Sequence, residues 1–167
     1  MKKKGLPLTV SSPRRGEGKG EGDLAIQIRN ETSKFHISLR PLKVIVRKIL
    51  KALGFKRTGL SILFVGDKEI RSLNRRWLGH DRPTDVIAFP GEGAFLGDIV
   101  ISLETTRRQA KQYGNYFEYE LATYLCHGIL HLKGHCDKTK KGAARMEKLQ
   151  ERILRKIWPS KRQKRLF

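Results

Sequence analysis

The sequence predicts a single α+β domain, a small mixed four-stranded sheet packed with about five helices that gather mainly in the C-terminal half. Three observations lead there. Short apolar runs of strand length alternate with segments of helical periodicity. Their order is strand, helix, strand, helix, strand, strand, then three helices, which suits a mixed sheet with segregated helices better than an evenly wound one. A length of 167 residues with 38% hydrophobic content supports one core.

Residues 1–22 carry Ser-Ser-Pro, Arg-Arg and a GEGKGEG run with no periodicity, so a disordered basic extension is expected there. Leu24, Ile26 and Ile28 alternate with polar neighbours as a strand does, and Asn30 to Lys34 reads as a turn. From Pro41 to Leu53, apolar residues recur at helical spacing, with Pro41 suited to the first helical position and Gly54 to the stop. Lys43, Arg47, Lys48 and Lys51 fall mostly on the other side of that helix, where a solvated face is expected. Leu60–Val65 is a short strand, after which Asp67 is expected to cap a helix carrying Ile70, Leu73, Trp77 and Leu78. A polar loop from Gly79 to Thr84 leads to a strand at Val86–Phe89 ended by Pro90, a glycine-rich turn, and a strand at Leu96–Ser102. Helices follow at Glu104–Tyr113, Tyr116–Lys133 and Lys140–Trp158, and residues 159–167 form a basic tail. The domain proper is therefore expected over residues 23–158.

The net charge of +20, from 36 Lys and Arg against 16 acids, points to a polyanionic partner, with nucleic acid the expected one. The charge extends into the body at Lys48, Lys51, Arg75, Arg76, Arg82, Arg107 and Arg108. No apolar run has the ~20 residues that span a bilayer, and no signal-peptide core follows the initial lysines, so a soluble cytoplasmic protein is expected. Two cysteines, Cys126 and Cys136, do not make a disulfide framework. Cys126 reads as a small core residue and Cys136 as a neighbour of the stretch discussed next.

That stretch is Cys126–Asp137, CHGILHLKGHCD, which holds three of the five histidines. His127 and His131 stand four residues apart on a helix, so their side chains share one face and can chelate one Zn²⁺. Gly134 can take the left-handed conformation that ends a helix and turns the chain back, bringing either His135 or Asp137 over the ion. Three protein ligands with one open position is the catalytic arrangement of zinc. The pattern is partly that of the zinc peptidases, H-E-x-x-H, and so zincin-like. Gly128, however, replaces the glutamate that serves such enzymes as general base, which argues against proteolysis.

The stretch His127-Gly128-Ile129-Leu130-His131-Leu132-Lys133-Gly134-His135-Cys136-Asp137 resembles the signature of the YbeY family of bacterial endoribonucleases and rRNA maturation factors. Two further blocks are similar to that family: Leu73-Asn74 with Asp81-Arg82-Pro83-Thr84-Asp85-Val86-Ile87-Ala88-Phe89-Pro90, and Leu96-Gly97-Asp98-Ile99-Val100-Ile101-Ser102. The resemblance runs over roughly residues 24–158 and implies one Zn²⁺ per chain, held by His127 and His131. The family's third ligand is a histidine at the position of Asp137, so the resemblance implies Asp137 as third ligand and His135 as the alternative. It also implies RNA as partner, as rRNA or ribosomal particles. Many members carry an arginine where this chain has Leu78.

The residues suggest metal-assisted phosphodiester hydrolysis, with basic side chains neutralising the phosphate. Arg75, Arg76 and Arg82 are the candidates for RNA contact. No general base follows from sequence; Arg82, Asp85 and Asp98 are the catalytic candidates, and Thr84 and His80 could line the cleft. The expected function is a zinc-dependent, single-strand-specific endoribonuclease of rRNA maturation and ribosome biogenesis. The alternative is a non-catalytic RNA- or ribosome-binding assembly factor with a structural zinc.

Overall fold

The computed structural model describes residues 24–158. The extension expected over residues 1–22 and the tail over 159–167 lie outside the described residues. Four strands and five helices are observed: β1 Leu24–Asn30, α1 Leu39–Ala52, β2 Thr58–Val65, α2 Asp67–Leu78, β3 Val86–Pro90, β4 Phe95–Ser102, α3 Leu103–Tyr113, α4 Phe117–Leu132 and α5 Lys140–Ile157. The strands form one sheet in the order β1-β2-β4-β3. β1 pairs parallel with β2, β2 parallel with β4, and β3 antiparallel with β4. The mixed sheet expected from the order of elements is the one found.

Each face of the sheet has its own core. Leu24, Ile26 and Ile28 of β1, Leu60, Ile62 and Phe64 of β2, and Ile99 and Ile101 of β4 point into a large core with α1, α4 and α5. The alternate residues Leu63, Val65 and Val100, with Ile87, meet Ile70 of α2 in a smaller core on the other face. Strand β2 is buried along its whole length because both faces are covered, which explains its unbroken apolar sequence.

Two local expectations need correction. Helix α1 begins at Leu39, so Pro41 lies third in the helix. The first turn has no intrahelical partner for its N–H groups, and a proline there costs no bond. Asp67 is the first residue of α2, not its cap; the cap position is Gly66, which makes no side-chain bond. The Asp67 N–H donates instead to Glu104 Oε2 at 2.8 Å. The carboxylate of Asp67 accepts from the hydroxyls of Ser102 and Thr105, both at 2.6 Å, and from Arg108 Nη1 at 2.7 Å.

Candidate metal centre

Helix α4 is the most enclosed helix. Leu121, Ala122, Leu125, Cys126, Ile129 and Leu130 are all fully buried. A Cβ at Gly128 would come within 3.0 Å of Ile99 Cδ1, so the helix lies directly on β4. A side chain at position 128 would meet the sheet, which is the packing reason that no glutamate stands there. Burial also pushes the Cys126 thiol up to about 12, making it an inert core group. Cys136 is exposed.

His127 and His131 emerge from this helix on its one half-exposed polar edge, their side chains 30% and 31% accessible. The helix ends at Leu132, and Gly134, with φ of 96°, takes the left-handed conformation that reverses the chain. The reversal is fastened by Gly134 N–H to His131 O at 2.9 Å and His135 N–H to Leu130 O at 3.0 Å. Three residues beyond Gly134, Asp137 faces the histidines.

The ligand atoms form a triangle. His127 Nε2 and His131 Nε2 are 3.0 Å apart, and Asp137 Oδ2 lies 3.6 Å from the first and 3.5 Å from the second. Zinc–ligand bonds of ~2.0–2.2 Å place the corners of a tetrahedron roughly 3.3–3.6 Å apart, so two edges of the triangle match a tetrahedral face and the His–His edge, at 3.0 Å, is shorter. His131 Nδ1 faces the carbonyl of His135 at 3.2 Å, and His127 Nδ1 faces Gln150 Oε1 at 3.3 Å. In the tautomer with the proton on Nδ1, each ring would donate to that oxygen and leave Nε2 as a lone pair open to a cation. In that tautomer two lone pairs and a carboxylate oxygen converge. Such a set repels itself unless a cation stands between its members. His127, His131 and Asp137 form a group that could hold a metal ion.

Burial, and after it the charge of His131, holds His127 below the ordinary imidazole range, while Asp137, Asp85 and the Gln150 bond pull the other way without reversing the shift. The neutral form that results is the one that ligates metals. His135 contributes its carbonyl and is not a member of the group.

Asp85 stands just before β3, a strand that packs against α4, and its charge favours the protonated form of His127 and of Tyr124. Its Oδ1 accepts from Val86 N–H at 2.7 Å and Thr84 Oγ1 at 3.1 Å, at the start of β3. Asp98 sits on β4 one residue out of phase with Ile99 and opposite Ser61, hence on the α2 face of the sheet, away from α4. Burial raises its carboxyl above the usual range, partly offset by the Ser61 hydroxyl. The loop after α2 is held by buried Asn74, whose Nδ2 donates to Arg82 O at 2.8 Å. Arg75 lies 4.0 Å from Asp81, which pairs bidentately with Arg71, while Arg76 stacks over Trp77 at 5.7 Å. His80 and Arg82 are exposed.

Sequence reasoning missed Gln150, which stands 23 residues from His127. One signal was available: Gln150 is a polar residue set among Met146, Leu149 and Ile153, the apolar stripe of α5.

Fold and site together define a single-domain α+β protein in which two helix-borne histidines and a loop carboxylate could hold a metal ion. The family model described as Endoribonuclease YbeY matches residues 27–158, and the chain belongs to that family. An "Endoribonuclease YbeY" of Anaeromyxobacter sp. (strain Fw109-5) is 39% identical over 137 residues, 79% of this chain and 71% of the relative. One from Geobacter sulfurreducens is 38% identical over 135 residues, 76% of this chain and 89% of the relative. A relative from Myxococcus xanthus is 44% identical over 123 residues; the match takes in 69% of this chain and 42% of that protein's length. The fold is also similar to a solution structure of a Thermotoga maritima protein, with a TM-score of 0.56 and 26% identity, covering 84% of this chain and 99% of that one. Among the described residues no helix is long and apolar enough to cross a membrane.

Proposed function

We propose that this protein is a cytoplasmic, zinc-dependent endoribonuclease that cuts single-stranded RNA during rRNA maturation. The nuclease class follows the names of its relatives. One observation carries the metal dependence: three potential ligand atoms, 3.0 to 3.6 Å apart, face one another at the end of the most buried helix. Two imidazoles and a carboxylate are a donor set that suits zinc. His127, His131 and Asp137 would hold the ion, which supplies Lewis acidity for phosphodiester hydrolysis when bound.

The chain's own groups do the rest. Gln150 and the His135 carbonyl keep both imidazoles in the ligating tautomer. Arg76 and Arg82 supply cationic charge to the RNA backbone, and Arg75 does so less because Asp81 shares it. Asp85 is the favoured proton acceptor, since its Oδ2 has no partner among the described residues while Oδ1 is held by Val86 and Thr84. Asp98, on the far face of the sheet, is left out of this assignment.

Metal analysis of the purified protein together with RNA cleavage tests the reading. The expected result is near-stoichiometric zinc and cutting of single-stranded rRNA fragments that His131→Ala abolishes. Less than about half an equivalent of zinc would overturn the ligand assignment. Stoichiometric zinc without cleavage would favour a non-catalytic assembly factor, and cleavage that survives His131→Ala would place the activity elsewhere.

A further inference from the structure

Between Glu31 and Asp67 the chain has no acidic residue but eight Lys and Arg. Five of the eight lie on α1, the only helix of the five without an Asp or Glu. Its buried stripe is Leu42, Ile45, Val46, Ile49 and Leu50. Arg40, Lys43, Arg47, Lys48 and Lys51 fall on the opposite side at spacings of three and four, so they form one continuous row. All five are exposed, and none has an ion-pair partner among the described residues.

A row that served solubility alone would mix its signs, as α5 does with Glu147 and Glu151, the latter paired to Arg155 at 3.6 Å. Here Lys43 and Arg47, and Arg47 and Lys51, are like-charge pairs at the i,i+4 spacing, an arrangement that weakens a helix in isolation. The row also has a direction. The Lys133 ammonium donates to Leu53 O, so the C-terminal end of α1 is fastened to the turn that follows His131. A membrane surface suits the row poorly, because the apolar side of α1 is spent on the core and Val44 is the only large hydrophobic exposed on it.

We propose that the outer face of α1 is a phosphate-tracking rail. It would bind the backbone of a single-stranded RNA several nucleotides away from the cleavage centre and lead the strand to it. The proposal rests on RNA being the substrate. It assigns RNA contact to a face distinct from Arg75, Arg76 and Arg82, which belong to α2 and the loop after it.

The test compares full-length wild-type protein with Lys43→Gln/Arg47→Gln/Lys48→Gln/Lys51→Gln. Its charge-matched control is Arg145→Gln/Lys148→Gln/Arg152→Gln/Lys156→Gln on α5. Binding of a fluorescent 20-nucleotide and a 4-nucleotide RNA is followed by anisotropy at about 50 to 200 mM salt, and melting curves confirm folding. The α1 variant should lose at least about tenfold in affinity for the long RNA at low salt, with a salt slope shallower by up to about 2.8. Its binding to the short RNA should not change, and the α5 variant should stay near wild type. Equal losses in the two variants, or no loss in the α1 variant, would overturn the rail. Loss of binding to anionic phospholipid vesicles with RNA binding intact would overturn it in favour of a membrane. Wild-type protein that binds neither RNA would refute the endoribonuclease reading itself, and the rail with it.

Discussion

Two polar clusters of similar size sit in this protein, and they differ in how their acceptors are met. Around Asp67, two hydroxyls and a guanidinium reach the carboxylate, and Ser102 Oγ in turn accepts from Thr105 N–H at 3.1 Å. That cluster is complete as it stands. It ties the start of α2 to the start of α3. Around Asp137, two imidazole Nε2 atoms and a carboxylate oxygen face each other, while each Nδ1 faces a carbonyl oxygen. Composition separates the two only in part, since each sets one acid among polar groups and the first adds a guanidinium. The donors do: three fixed donors saturate the Asp67 carboxylate and hold structure, whereas Asp137 meets only the two imidazoles, in a group that could hold a cation.

The comparison can be broken by mutation. The largest effect is expected from His127→Ala, which should reduce bound zinc to background and abolish RNA cutting. Its melting temperature measured without metal should not fall, because the change relieves a repulsive set. A large loss of metal-free stability would show that the histidines are a structural pair. Asp67→Ala should do the converse, lowering stability by about 2–3 kcal/mol because it strands two hydroxyls and a guanidinium while leaving zinc content at wild-type level. Denaturant unfolding with parallel metal analysis reads both.

Acid sharpens the contrast. Burial alone would raise the Asp67 carboxyl, but the bonds from Ser102, Thr105 and Arg108, with the charge of that arginine, outweigh it and hold the group below the usual carboxylate range. A depressed native pKa means that the unfolded chain takes up this proton first as pH falls. The stabilisation is therefore whole above the ordinary Asp value and is lost as pH drops through the native one. Unfolding curves below about pH 4 should show this loss in wild type and not in Asp67→Ala. Gln150→Leu should weaken zinc about tenfold to a hundredfold, by releasing the His127 tautomer, with little change in fold. Cys136→Ser should change stability by less than about 0.5 kcal/mol and leave metal content alone, because the residue is exposed and outside the ligand group. Reduced zinc in that variant would mean that the thiol takes part.

What could be read from sequence was what local chemistry decides. The histidine pair, Gly134 and the strands β2 and β4 all follow from spacings within a dozen residues. Asp67 was misread because the group that meets the first N–H of α2 is Glu104, on a helix 37 residues later. Gln150 was missed for the same reason. Asp98 and Asp85 looked alike in sequence, each a lone acid in a strand-forming block. The alternation of β4 then puts Asp98 on the α2 face, while Asp85 at the start of β3 lies near enough to influence His127. Which sheet face a strand residue takes depends on what packs there, and no local pattern records it.

The enclosure of α4 has a kinetic consequence. His127 and His131 ride on a helix clamped by the core, so their spacing would be set before any ion arrives. The third, Asp137, belongs to the chain beyond Gly134 and is the more exposed, at 43%. One arm of the chelate can swing while two stay still. In the proposed metal site, ion exchange would then run through the excursions of a single carboxylate, and the stiffness of the turn at Gly134 would tune the lifetime of the occupied state.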